Sequence, residues 1–251
     1  PVPPDGPEPL MQPRCRIALF GECMIELRGQ MFGPMQQYFG GDTLNTAVYL
    51  ARLVKDSGIE VAYATQLGTD AYSQGMLQAW QQEGLDISLV ARAAGRMPGL
   101  YTIQVDEHRA RLWTHGQADA QQWFDRAFDG CDLALITLED HQALYGIADA
   151  QAAIDHAQAL APSEIVIKRG AEPTLVRQAD GRIFSVPIYK VDKVIDTTGA
   201  GDSFAAGYLA ARLQGQTPEV AARSGSRMAS IVIQHAGAIV PNAVMPIFFF
   251  A

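Results

Sequence analysis

The chain has 251 residues, 48% of them hydrophobic and 18% charged, with 19 basic against 27 acidic side chains and a net charge of −8 at pH 7. That length supports one large domain, or one domain with a small lid, and the apolar fraction excludes a disordered chain. The acidic balance lacks the basic face that non-specific nucleic-acid binding needs, and no run approaches the ~18 consecutive apolar residues of a membrane helix, so neither a nucleic acid nor a membrane is expected as a partner. Residues 1–15 are rich in Pro and polar side chains and read as a flexible leader, with no apolar stretch after positive charge to suggest a signal peptide. One domain is expected over 16–251. Residues 17–20 read as a short apolar strand stopped by Gly21, with 24–27 as its continuation. A helix follows Gly40-Gly41-Asp42-Thr43, because Leu44, Ala47, Val48, Ala51 and Val54 recur at helical spacing. Asp42 or Thr43 can cap its start and Gly58 can end it.

Further on, 61–67 reads as a strand, 72–83 as a helix, and 87–91 and 100–105 as strands. Residues 118–128 read as a helix, 133–137 as a buried strand, 140–160 as two helices and 165–167 as a strand. Residues 174–176 and 182–186 flank Asp180-Gly181, a hairpin-turn signal. Residues 201–213 and 218–234 close the pattern as two helices. Strands alternating with helices give an α/β class with a largely parallel sheet. The three cysteines, Cys15, Cys23 and Cys131, form no CxxC pair, and the five histidines form no HExxH. A disulfide framework and a structural zinc site are therefore not expected, and a reducing cytoplasm fits.

The segment richest in chemistry is Asp196-Thr197-Thr198-Gly199-Ala200-Gly201-Asp202-Ser203-Phe204. A strand-like run meets a Gly-x-Gly turn and a helix begins, so backbone N–H groups and a helix N-terminus can converge on one anion. Thr197 and Thr198 can add hydroxyl donors. A Walker loop is excluded because no GxxxxGK[ST] occurs, and the dinucleotide pattern GxGxxG fails at Phe204. Asp202 would repel a phosphate that merely rested there. It makes sense as the base that takes a proton from a hydroxyl attacking a phosphate, or, alternatively, as a helix cap.

This segment closely resembles the C-terminal signature of the ribokinase-like (PfkB-type) sugar kinases, and Gly40-Gly41-Asp42-Thr43-Leu44-Asn45 resembles their sugar-binding glycine pair and Asn. Gly21-Glu22-Cys23-Met24-Ile25-Glu26-Leu27, Gly99-Leu100-Tyr101 and residues 234–241 look like the branch of that family that phosphorylates 2-keto-3-deoxygluconate. The resemblance implies a ribokinase-like three-layer α/β/α domain with a small β-sheet lid near residues 87–108, using ATP and Mg²⁺. It implies Asp202 as catalytic base and the N–H groups of Gly199, Ala200 and Gly201 as the phosphoryl hole. Gly41, Asp42 and Asn45 would hold sugar hydroxyls, Asp42 having a plain helix cap as its alternative. Tyr101 would line the sugar pocket, or be an ordinary strand aromatic. Lys168, Gly170 and Thr198 would meet the nucleotide with Gly199 and Gly201, although Lys168 and Arg169 could equally be solvated charges. Thr137-Leu138-Glu139-Asp140 stands where many members carry Asn-x-x-Glu, leaving Asp140 to touch the metal through water. Arg109 would match the Arg that reaches substrate and phosphate, and its planar fork suits a sugar-acid carboxylate. A homodimer through the lids is implied. A neutral-sugar kinase for fructose or ribose, a non-catalytic sugar- or nucleotide-binding member and a dinucleotide oxidoreductase are the competing readings.

One departure from the family is large. After Val105-Asp106-Glu107-His108 come Arg109-Ala110-Arg111-Leu112-Trp113, which resemble a much later family segment. About two βα units, each of ~30 residues, lack a counterpart between His108 and Arg109. Their loss from a contiguous sheet should leave unpaired strand edges and an open core.

Overall fold

The computed structural model describes residues 15–30, 32–103, 117–160 and 162–246. The chain begins with β1 (Cys15–Phe20), β2 (Met24–Gly29), β3 (Met35–Gly40), α1 (Asp42–Leu53), β4 (Ile59–Leu67) and α2 (Ala71–Gln82). It continues through β5 (Val90–Arg92), β6 (Leu100–Ile103), α3 (Gln117–Asp129), β7 (Leu133–Thr137), α4 (Leu138–Tyr145) and α5 (Ala150–Ala159). The last elements are β8 (Glu164–Arg169), β9 (Glu172–Arg177), β10 (Ile183–Val186), α6 (Ala200–Leu213) and α7 (Pro218–Val232).

The strands form three sheets in the orders β1-β4-β5, β10-β9-β8-β7 and β3-β2-β6. β1, β4 and β5 are parallel, as are β7 and β8, while β9 and β10 add an antiparallel edge. β8 shows how helices come to cover both faces. Successive side chains of a strand point to opposite sides. Ile165 and Ile167 pack with Ala153, Ile154 and Ala157 of α5, whereas Val166 packs with Phe204, Tyr208, Ala221 and Ala222 of α6 and α7. A strand apolar on both faces needs this helix–sheet–helix arrangement. The largest core centres on Tyr49 of α1, Tyr63 of β4, Trp80 of α2 and Met228 of α7, all fully buried. α6 and α7 approach closely because Gly207 and Gly225 face one another. A Cβ on Gly207 would stand 2.8 Å from the Ser224 carbonyl oxygen, and one on Gly225 would stand 2.7 Å from that of Phe204.

Most expected elements are present among the described residues, but 24–27 does not continue β1: it belongs to β2, the centre of the small sheet. That sheet is built from β3, β2 and β6 rather than from 87–108 alone, while β5 joins β4 in the parallel sheet. β3 was not anticipated. Met35, Gln36, Gln37 and Tyr38 are all exposed, so this edge strand carries no apolar alternation to read. The strand expected at 87–91 is shorter and later, at Val90–Arg92. Neither Asp42 nor Thr43 caps α1. Gly41 is the N-cap and no side chain completes it, the Thr43 hydroxyl being bonded instead to that of Tyr63 at 3.0 Å. α1 stops at Leu53, and Gly58 (φ +78) lies in the following turn.

Among the described residues, β1 pairs with β4 alone and β7 with β8 alone, so each leaves one parallel edge without a partner strand. β1 is unusually open for a strand of this kind, with Phe20 81% exposed. Residues 1–14, His108, Arg109 and the tail from 247 lie outside the described residues.

α4 meets α5 through an aromatic cluster. The His141 ring is 4.7 Å from Tyr145 and 5.0 Å from His156, and Tyr145 donates its hydroxyl to Asp125 at 2.7 Å. Nε2 of His141 and Nδ1 of His156 are buried without a hydrogen-bond partner. Burial, with the neighbouring His156, brings the His141 pKa from 6.5 down to about 4. The unfolded chain therefore binds a proton that the folded chain refuses between these values, and stability falls as the pH drops from about 6.5 to about 4. Urea midpoints measured across that window should fall less in His141→Phe than in the parent chain; equal pH slopes would show that His141 does not titrate this way.

Candidate active site

A cavity of about 1380 Å³ opens between the two main sheets and beneath the β3-β2-β6 sheet. Its wall takes Met24, Arg28, Tyr101 and Thr102 from the small sheet, and Gly41, Asp42, Thr43, Asn45 and Thr46 from the start of α1. The far side is made by Thr137, Asp140, His141 and Lys168, and the floor by residues 195–199 with Gly201 and Asp202. The topology thus converges segments that lie far apart in the chain.

The floor is a helix start. Gly199, the N-cap of α6, has φ +75, a left-handed conformation that glycine adopts without strain. A Cβ there would also come within 2.6 Å of the Ala238 carbonyl oxygen. Gly199 and Gly201 border the cavity; Ala200 does not, and its N–H donates to the Thr197 carbonyl at 3.2 Å. The Lys168 ammonium lies 3.2 Å from where a Cβ on Gly201 would stand. A helix N-terminus bordered by a lysine favours an anion.

Asp202 sits in the first turn of α6, and its carboxylate Oδ2 accepts a 2.9 Å hydrogen bond from Nδ2 of Asn45. The helix-cap alternative fails, because the cap is Gly199. Asn45 is buried, and its Oδ1 has no hydrogen-bond partner among the described residues. Its amide therefore orients Asp202 in addition to lining the cavity, a role that the sequence reading did not assign. The Thr46 hydroxyl donates to the Asp202 carbonyl at 3.3 Å.

Asp196 organises the turn itself. Its Oδ1 accepts from the Thr198 N–H (2.9 Å) and hydroxyl (2.7 Å), and its Oδ2 from the Gly237 N–H (2.9 Å) and Arg28 Nη1 (3.0 Å). Burial works against the charged form, but the hydrogen bonds from Gly237 and Thr198, together with Arg28, bring its pKa down to about 2. The Thr198 hydroxyl proton is consequently turned to Asp196, which corrects its expected use as a donor toward phosphate. Tyr101 does line the cavity, but its hydroxyl donates to the buried Glu26 at 2.5 Å, so towards a ligand it can only accept. Burial, and then the bond to Glu26, push the Tyr101 phenol well above its usual range.

Asp42 is exposed at the cavity wall, and Gly41 packs so closely on Glu22 that a Cβ would lie 2.2 Å from its carbonyl oxygen. Asp140 stands in the first turn of α4, also on the wall. Gly170 is not brought to the site. It turns β8 into β9 with φ +60 and is exposed, while Arg169 donates to the Pro173 carbonyl at 2.6 Å. Arg109 lies outside the described residues. Glu26 and Arg28 were missed as site residues. Their signal is an opposite-charge pair at i, i+2 in an apolar strand, which must share one face.

Among relatives, the 2-dehydro-3-deoxygluconokinase of Escherichia coli K12 is 35% identical over 307 aligned positions, covering 92% of this chain and 99% of that protein. The enzyme of the same name from Dickeya dadantii 3937 is 33% identical, covering 92% and 98%. Among solved structures, the aminoimidazole riboside kinase of Salmonella enterica, complexed with aminoimidazole riboside and an ATP analog, has a TM-score of 0.77 at 18% identity, covering 92% of this chain and 96% of that one. A Thermotoga maritima 2-dehydro-3-deoxygluconokinase has a TM-score of 0.75 at 18% identity, covering 90% and 95%. These two share the fold. The sequence profile of the pfkB family carbohydrate kinases matches residues 15–125 and 109–244, and the chain accordingly belongs to that family.

Proposed function

We propose that this protein is an ATP-dependent kinase that phosphorylates 2-keto-3-deoxygluconate at its 6-hydroxyl. The observation that carries the reaction type is Asp202, fixed by Asn45 at the mouth of an anion-favouring helix start. The sugar acid is supported by relatives of that activity aligned over nearly their whole length. In this reading the attacking hydroxyl lies against Asp202, whose carboxylate takes its proton as the new oxygen–phosphorus bond forms and the bond from the γ-phosphorus to the departing ADP oxygen breaks. The N-terminus of α6 at Gly199 and Gly201, with Lys168, faces the transferred group and stabilises its charge without further rearrangement. Asp42 and the Tyr101 oxygen face the sugar hydroxyls as acceptors. The acid end of the sugar must point away from Asp42 and Asp202, since like charges would repel.

The cavity wall carries five carboxylates, Glu22, Asp42, Asp140, Asp196 and Asp202, against Arg28 and Lys168. A nucleotide triphosphate entering alone would meet an acidic wall, so this donor set fits a nucleotide accompanied by Mg²⁺. Asp140 would hold that ion through water, as one carboxylate suits a cation that keeps much of its hydration. The bound ion neutralises charge on the phosphates. Exposed Met35, Tyr38 and Leu100 on the small sheet support pairing of two copies through the lid. Free Cys15, Cys23 and Cys131 accord with a cytoplasmic location.

The reading extends to the length of the native protein. The alignment to the first relatives spans 307 positions, more than the 251 residues here, and the two family matches overlap at 109–125. With the open edges of β1 and β7, this supports a native chain that carries further βα units between His108 and Arg109.

Three measurements test these points. Asp202→Asn keeps the shape and removes the proton acceptor, so kcat should fall by about 10²–10⁴ with nucleotide affinity little changed; near-normal turnover would overturn the base assignment. The protein should use 2-keto-3-deoxygluconate with a kcat/KM well above that for fructose or ribose, read as ADP release; equal use of a neutral sugar sinks the sugar-acid reading. The intact mass of the protein from its source cells should clearly exceed 27.2 kDa, whereas a native mass at that value would show the shorter chain to be genuine.

A further inference from the structure

Arg28 is placed between two functional parts that the chain keeps far apart. It lies on β2, the middle strand of the small sheet, and borders the cavity. Its guanidinium is not aimed at open space. Nη1 donates to Asp196 at 3.0 Å, Nη2 lies 3.3 Å from Oε1 of Glu26, and Nε is buried without a hydrogen bond. Glu26 in turn accepts the Tyr101 hydroxyl at 2.5 Å. That last bond needs a glycine beside it, because a Cβ on Gly40 would stand 2.6 Å from the Tyr101 oxygen. On the other side, Asp196 holds the N–H groups of Thr198 and Gly237. A continuous line of charge-assisted contacts therefore runs from Tyr101, over the sugar side, through Glu26 and Arg28 to the turn that opens α6.

We propose that Arg28 is a positioning residue that couples the small sheet to the phosphate-facing turn, so that the turn is correctly set only when the sheet is in place over the sugar. The inference rests on the kinase reading for its consequence, but the coupling itself is a statement about two parts of the fold. Arginine can do this because its planar fork spans two carboxylates at once, whereas a lysine offers one point charge. Removing the guanidinium takes away the cation that Glu26 and Asp196 share, and with it one of the contacts that hold the Asp196 carboxyl low.

The test compares Arg28→Met and Arg28→Lys with the parent chain. The first readout is independent of turnover: hydrogen exchange in peptides covering 195–201 should quicken in Arg28→Met while peptides of β8 keep their protection. In the kinase assay kcat should fall about 10- to 100-fold, as expected for a misplaced reacting group, with the sugar KM moved far less. An acidic limb in kcat should move to higher pH, because the Asp196 carboxyl loses the Arg28 charge that helps hold it low. Arg28→Lys, which keeps the charge, should recover part of kcat and return that limb toward its parental position. Unchanged exchange at 195–201, or a kcat within twofold of the parent without a shifted limb, would overturn the coupling. If the parent chain shows no kinase activity, the functional reading fails, and the exchange comparison still decides whether Arg28 ties the two parts. Should Arg28→Met not fold, the same exchange measurement on Arg28→Gln, which stays polar and loses the charge, decides it.

Discussion

The 2.9 Å hydrogen bond from Asn45 to Asp202 ties α1 to α6, two helices whose alanines Ala47, Ala51, Ala206 and Ala210 share one buried core. Most of α1 from Leu44 to Ala51 is buried, so its register cannot slide without exposing core. One face of that helix does several jobs in sequence. Asn45 holds the carboxylate of Asp202. One turn on, Tyr49 donates to the Ala238 carbonyl at 2.6 Å and accepts from the Val240 N–H at 2.9 Å. Further on, Arg52 donates to the Val240 carbonyl at 2.8 Å and forks onto Glu83. Positions spaced by three and four residues share a helix face, so a single buried helix fixes Asp202 and the loop behind the Gly199 turn together. Burial pushes the Tyr49 phenol up to about 12, which keeps it a neutral two-way hydrogen-bonding group.

Electrostatics then decide what the cavity can accept. Each carboxylate on its wall is handled differently. Asp196 is saturated by four hydrogen bonds and stays ionised as part of the scaffold. Asp202 accepts a hydrogen bond from the Asn45 amide, which orients it. Asp42 and Asp140 border the cavity from the first turns of α1 and α4. Lys168 brings positive charge to the α6 helix start from the end of β8, the strand whose two apolar faces join the helical layers. The same strand that organises the core thus delivers the cation to the site.

The open edges of β1 and β7 border this same cavity. Leu19 of β1 and Leu135 of β7 both line it, with Phe124 and Phe128 of α3. Leu19 and Leu135 stand on the two strands whose edges lack a partner among the described residues, and with the two phenylalanines they give the polar cavity an apolar side.

The alternation of strands and helices, the glycine turn before α6 and the acid within it were legible in the sequence, because they are local: periodicity, helix starts and turn chemistry act over a few residues. The same holds for the hairpin at Asp180-Gly181, whose Gly181 N–H closes on the Gln178 carbonyl at 2.9 Å. β3 escaped because an exposed edge strand has no face to bury and so no pattern to show. The roles of Asn45, Thr198, Glu26 and Arg28 escaped for a different reason. Each depends on a partner 2 to 168 positions away, and which of its hydrogen bonds a polar side chain makes is fixed by what packing brings within 3 Å. Residue types and spacing determined that a glycine turn and an acid would meet at the start of α6. Only the tertiary structure decided which side chain orients that acid, which hydroxyls are already committed, and which charges line the cavity, because those choices are made between elements that sequence spacing does not relate.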